Sequence, residues 1–290
     1  MPRRVAVRSP RRRLLGLLPV LLVLVAAGAF LVQQRSSSAA TPQLTPITLK
    51  DALASYRKHP GPLRNDIGWP KRLPTKPNDG LKGFKPPAAG VYTYKTNGRD
   101  WVELDGKKYT REFPATTYAT VRHAGGCVWE LWMQAADQYT DAHRQCSTPG
   151  EFLCLAHIQH VSFAGITKDM THKCDPPMIQ VGGKAVKAGG KEKTICYASK
   201  SDASRIEIHY VAEEPITIGG VHRTAYHVKL YSYVKGEVNG SALADVWFDS
   251  QTGMYLKMIR TQDTSGKSSG KSATYRVRIT YELASITPQT

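Results

Sequence analysis

The sequence has no C-x-x-C pair, no P-loop, no G-x-G-x-x-G and no H-E-x-x-H. Zinc ribbons, thiol redox centres, nucleotide-phosphate cradles and helical zinc proteases are therefore without their usual signatures. Acid is scarce: 23 Asp and Glu stand against 40 Lys and Arg, a formal net charge of +17. None of the acids falls in the first 35 residues, which hold seven of the basic ones, so the remainder keeps 17 − 7 = +10. No cysteine precedes Cys127, which excludes a lipidated N-terminal cysteine.

One long apolar run is present, "LLGLLPVLLVLVAAGAFLV" at residues 14–32. At about 1.5 Å per residue it spans most of a bilayer core of roughly 30 Å. The basic residues in 1–13, Arg3, Arg4, Arg8, Arg11, Arg12 and Arg13, belong on the cytoplasmic side of such a span. This predicts a single-pass anchor in the cell membrane with the C-terminal part extracytoplasmic. The small residues Ser38 to Ala40 leave a cleaved signal open, but the run exceeds the usual h-region of about 7–15 residues. An exported basic protein meets anionic lipid or wall polymers in place of nucleic acid.

Nine prolines between residues 41 and 89 predict a Pro-rich stalk over 33–89, since proline supplies no donor to a sheet ladder. One short helix is expected within it at 48–59, because Thr48 and Asp51 make an approximate capping box and Pro60 with Gly61 ends it. From 90 to 290 short alternating runs of Val, Ile, Thr, Tyr and Trp are separated by Gly and Asp clusters. They predict strands near 90–96, 99–104, 115–123, 127–134, 138–146, 152–163, 204–213, 223–234, 242–249, 254–262 and 274–284. The fold class expected is mostly β: a curved antiparallel sheet, as a half-barrel or as two similar halves.

The five cysteines suit a compartment where disulfides persist. Cys127 and Cys146 bracket a hairpin, and facing each other they set a register in which opposed positions sum to 273. Trp129 then faces Arg144 and Glu130 faces His143. Cys174 and Cys196 would close a Gly- and Lys-rich loop, while Cys154, among the apolar residues of "EFLCLAHI", is expected to be a buried free thiol.

No catalytic constellation, cofactor site or metal site emerges. His157 and His160 lie three apart on a strand and point to opposite faces, as do His222 and His227. Asp245 and Asp249 share a face at about 13 Å, beyond the roughly 5–9.5 Å of glycosidase carboxylate pairs. The aromatic pattern carries more. Tyr275, Val277, Ile279, Tyr281 and Leu283 form one face of the last strand, and Tyr226, Val228, Leu230 and Val234 one face of an earlier one. Such one-sided sheets need a cover: a helix, a second sheet or a ligand.

The stretches "GVYTYKTNG", "FPATTYATVRHAGGCVWEL", "EEPITIGGVHRTAYHV", "ADVWFDSQTGMYLKM" and "TYELASITP" resemble a family of actinobacterial, signal-anchored extracytoplasmic proteins, over most of residues 88–288. More distantly, the strand run with "W-F-D-x-x-T-G" and an amphipathic last strand looks like the half-barrels of bacterial lipoprotein carriers and mycobacterial lipid-binding lipoproteins. That pattern implies a curved sheet with an apolar concave face. The expectation is a non-enzymatic protein that binds a hydrophobic or lipid-like envelope molecule, with Trp129, Leu131, Met133, Val228, Leu230, Val277, Ile279 and Tyr281 as lining. The alternative is recognition of an anionic wall polymer or partner protein through Arg122, Arg144, Lys184, Lys191, Arg276 and Arg278.

Overall fold

The structure, a computed structural model, describes residues 43–63, 83–182, 186, 189–199, 202–268 and 271–290. Residues 1–42, with the apolar run and its basic flank, lie outside the described residues. Among the described residues no helix is long and apolar enough to cross a membrane.

The described chain has one helix, α1 (Leu49–Lys58), followed by a succession of strands. These are β1 (Gly90–Leu104), β2 (Lys107–Glu112), β3 (Thr116–Gly125), β4 (Val128–Ala136), β5 (Tyr139–Thr148) and β6 (Glu151–Phe163). After them come β7 (Ile166–Val181), β8 (Lys191–Tyr197), β9 (Ala203–Ile218), β10 (Val221–Lys235), β11 (Val238–Asp249), β12 (Tyr255–Ser268) and β13 (Lys271–Leu283). They form one antiparallel sheet of successive neighbours, mostly β as the alternation predicts.

The sheet closes on itself. β13 returns to pair with β1 from Tyr94↔Leu283 to Leu104↔Ala273, so every strand but β2 belongs to a ring. Closure removes the two exposed edges that an open half-barrel would leave. It depends on β1 being a single strand where the sequence suggests two: its first half pairs with β3, its second with β2, and its other side with β13. Gly98 makes that continuity possible, because a Cβ there would sit 2.2 Å from the Arg278 carbonyl oxygen.

The ring is thin at one seam. β7 and β8 share only Lys173↔Tyr197 and Cys174↔Cys196, and the Cys174–Cys196 disulfide crosses that point. Pro176 and Pro177 follow directly and have no N–H to offer a ladder. Residues 174–177 leave the β6 register, which resumes at Cys154↔Met178. β7, β8 and the short β2 are the strands that the alternation missed.

The Cys127–Cys146 disulfide forms as expected, but the register it seemed to imply is one residue off. Opposed positions run Val128↔Cys146, Trp129↔Gln145, Glu130↔Arg144 and Leu131↔His143, a sum of 274. Cys127 lies in the bend before β4, so it does not face Cys146 in the ladder, and a bulge at Gln134/Ala136 absorbs the offset. The shift places Glu130 against Arg144, a buried ion pair, in place of His143.

The described parts of the Pro-rich segment lie on the barrel. Thr48 and Asp51 complete the capping box of α1, which packs on β1 and β3. Arg122 of β3 donates to the His59 carbonyl at 2.7 Å, the Asp137 amide donates to the Thr45 carbonyl, and Phe84 is buried in the core.

One end of the lumen is filled by aromatic rings. Phe152 is the hub, in contact with Phe84, Trp129 and Phe248, and Phe248 continues to Tyr255. Gly253 must be glycine here, since a Cβ would lie 2.4 Å from the Phe152 ring. Toward the other end of the same strands, past His157 on β6 and Tyr255 on β12, the filling stops and a cavity begins.

Candidate functional site

The cavity runs inside the barrel in two connected chambers. The inner one, about 120 Å³, is bounded by apolar side chains such as Met170, Met178, Ile206, Leu230 and Ala244, with Tyr255 at its floor. The outer one, about 100 Å³, reaches the hairpin of Phe163 and Ile166 and the turn at Glu237. Gln159, Met170, Val238, Gln262 and Thr264 border both. One water needs about 10–15 Å³, so the pair admits a small or slender molecule. At the mouth Lys168 of β7 pairs with Glu237 of the β10–β11 turn at 2.5 Å.

The deep wall is polar. Three histidines stand side by side on adjacent strands: His143 of β5 faces His157 of β6, which faces His172 of β7. All three border the inner chamber. The His143 and His157 rings stack at 4.8 Å, and His143 meets Tyr255 edge-on at 5.2 Å. Asp141, two residues before His143 and on the same face, is fully buried. Its Oδ1 lies 2.6 Å from His157 Nε2 and 3.5 Å from His143 Nε2. Its Oδ2 accepts from Arg260 of β12, whose other Nη donates to Gln262 Oε1 at 2.6 Å.

Electrostatics follow from that burial. Desolvation pushes the Asp141 carboxyl upward, but Arg260 and then His157 outweigh it and hold it well below the usual carboxylate range. Desolvation drives the His143 imidazole down to about 3 against the opposing pull of Asp141, with His157 and Arg260 adding to the decrease. His172 is also lowered, first by desolvation and next by His157. The Cys154 thiol, a free buried cysteine at the same wall, is pushed up to about 12 by burial. It is therefore protonated and inert as a nucleophile near neutral pH.

These shifts predict an acid-labile fold. A histidine whose folded pKa is depressed contributes stability above its unfolded value of 6.5, and that stability is lost as pH falls toward the folded value. Each such imidazole contributes a slope of at most about 1.4 kcal/mol per pH unit. Urea unfolding at pH 7 and pH 5 should give a lower midpoint at pH 5, and an unchanged or higher one would show that the imidazoles are solvated.

The structure distributes the sequence-predicted site residues unevenly. Of the proposed apolar lining, Leu230 borders the inner chamber. Trp129, Leu131, Met133, Val228, Val277, Ile279 and Tyr281 are buried in the barrel core and border neither chamber. Of the proposed anion contacts, Arg122 and Arg144 are buried, held by the His59 carbonyl and by Glu130. Arg276 pairs with Asp263 and Glu103, and Lys184 lies outside the described residues. Lys191 and Arg278 are exposed, the latter over the Trp101 ring. His160 faces outward to Asp169, on the opposite side from His157, as strand geometry requires.

The histidine row escaped the sequence reading, which compared histidines along a strand and not across hairpins. A signal existed: His143, His157 and His172 are spaced 14 and 15 apart, one strand plus one turn. Fold and site define an antiparallel β-barrel with a cavity at one end of its lumen and a buried His/Asp/Arg cluster in its wall. No family model, curated protein or solved structure matches the chain.

Proposed function

We propose that this chain is a non-enzymatic binding protein of the cell envelope, tethered by its N-terminal apolar segment, that takes a small or slender hydrophobic molecule into the barrel lumen. The observation that carries the reading is the two-chamber cavity, walled by methionine and aliphatic side chains and ending on Tyr255. Apolar concave sites with a few convergent polar groups are the usual form of small-molecule pockets. The methionines Met170, Met178 and Met258 suit a ligand of irregular shape, because their unbranched side chains repack easily. The Lys168–Glu237 pair lies where such a ligand would enter. Being exposed, it contributes little stability and opens at small cost.

Native mass spectrometry of the full-length chain, released from membranes in mild detergent, tests the reading. The expected result is a small apolar molecule that remains bound in the native spectrum and leaves on denaturation, together with saturable uptake of an apolar fluorescent probe after delipidation. A delipidated protein that takes up no probe, with Leu230→Trp in the cavity wall changing nothing, would overturn it.

A further inference from the structure

We propose that Asp141, His143 and His157 form a binding site for one divalent transition-metal ion, of the zinc, cobalt or copper class, with its open coordination positions facing the inner chamber.

The geometry is that of a ligand set. Asp141, His143 and His157 each offer a ligand atom, and the three atoms lie within 4.8 Å of one another. Around a zinc ion with bonds of about 2.0–2.2 Å, ligand atoms stand roughly 3.3–3.5 Å apart. The Asp141–His143 separation of 3.5 Å already has that value. The Asp141–His157 separation of 2.6 Å is a hydrogen bond and opens by less than an ångström when a metal replaces its proton. Two imidazoles and one carboxylate, bordering an empty volume, leave room for water or a ligand atom as in open metal sites.

An ordinary buried ion cluster accounts for only part of this arrangement. Asp141 with Arg260 and His157 would be such a cluster, complete in itself. It leaves His143 Nε2 buried with no hydrogen-bond partner, its ring stacked on His157. His172 Nε2, next along the row, is turned instead toward Asp202 Oδ1 at 3.9 Å. Native proteins rarely bury such an atom unsatisfied, and His143 Nε2 at the wall of an open chamber points to an absent binding partner. Arg260 does not occupy the site. It bonds Oδ2 and is itself held by Gln262, so it fixes the carboxylate with Oδ1 turned toward the imidazoles, the part an outer-shell partner plays for a ligand.

This inference stands apart from the lumen ligand, since metal binding needs no apolar molecule. The full-length chain, stripped with chelator, is titrated with zinc and with cobalt. The expected outcome is one ion per chain, with visible cobalt d–d bands. His143→Gln and His157→Gln should each weaken binding at least tenfold, while His160→Gln, on the outer face, should leave it unchanged. X-ray absorption of the zinc-loaded native chain should show two imidazoles and oxygen at about 2.0 Å, a readout that survives if a variant misfolds. No binding by the stripped chain at about millimolar zinc, an affinity that His143→Gln leaves intact, or sulfur in the zinc shell would each overturn the site.

Discussion

Replacing Asp141 with alanine should destabilise the fold by about 3–5 kcal/mol, the range for removing one partner of a buried ion pair. The carboxylate has no exposed surface. Without it Arg260 keeps its charge inside the barrel with only the Gln262 carbonyl oxygen as acceptor, and His157 loses its partner. Asp141→Asn keeps the shape and should cost nearly as much, because the deficit is one of charge. The double variant Asp141→Leu with Arg260→Met should recover most of the loss, since swapping a whole buried pair for apolar groups is often neutral or better. Urea unfolding in chelator of these variants and of Asp141→Leu and Arg260→Met alone, with m-values compared to verify a common unfolded state, gives all the terms of the cycle. A single-variant loss below about 1 kcal/mol would mean that water reaches Arg260 and that the wall is wetter than its burial implies.

The same cluster shows where sequence reasoning works in this barrel and where it stops. β13 was readable because one face is uniformly apolar, from Tyr275 to Leu283, and those residues do line the core. The cap at Thr48 was readable because it is a contact between residues three apart. Both disulfides followed from proximity along the chain. β7 and β8 were not readable: Pro176 and Pro177 interrupt the first, and the second sits in a lysine-rich stretch and exposes Ile195 and Tyr197 beside Lys191 and Lys193. The alternation they lack is replaced by pairing that only the closed ring provides.

Register was the larger obstacle. Whether His143 meets His157 depends on the bulge at Arg144/Gln145, and a slip of one residue sends every side chain of a strand to the opposite face. No glycine marks that bulge. The row of histidines is thus a product of hairpin lengths and one local irregularity, not of a motif. The chamber itself was equally hidden, since it exists because the aromatic filling stops part-way along the strands, and its six lining methionines and glutamines sit on β6, β7 and β12 among ordinary alternating residues.

Removing the Cys174–Cys196 bridge should have a second large effect, and a localised one. In the chain-entropy model a closed loop of about 20 residues is worth roughly 3 kcal/mol, and the 19- and 22-residue separations of the two disulfides predict nearly equal losses. The barrel makes them unequal. Cys127–Cys146 braces a hairpin that a continuous ladder from Val128↔Cys146 to Gln134↔Thr140 already holds. Cys174–Cys196 crosses the seam where β7 and β8 share only two register positions. With alanine at both positions the ring loses its only covalent link there, and the inner chamber, which both cysteines border, gains a lateral opening. Hydrogen exchange should therefore show protection lost in residues 166–181 and 191–197 while β3 to β5 stay protected, and the matching Cys127/Cys146 variant should show no such pattern. Equal and uniform loss in both variants would mean that the seam is held by side-chain packing and that the bridge acts on the unfolded chain alone.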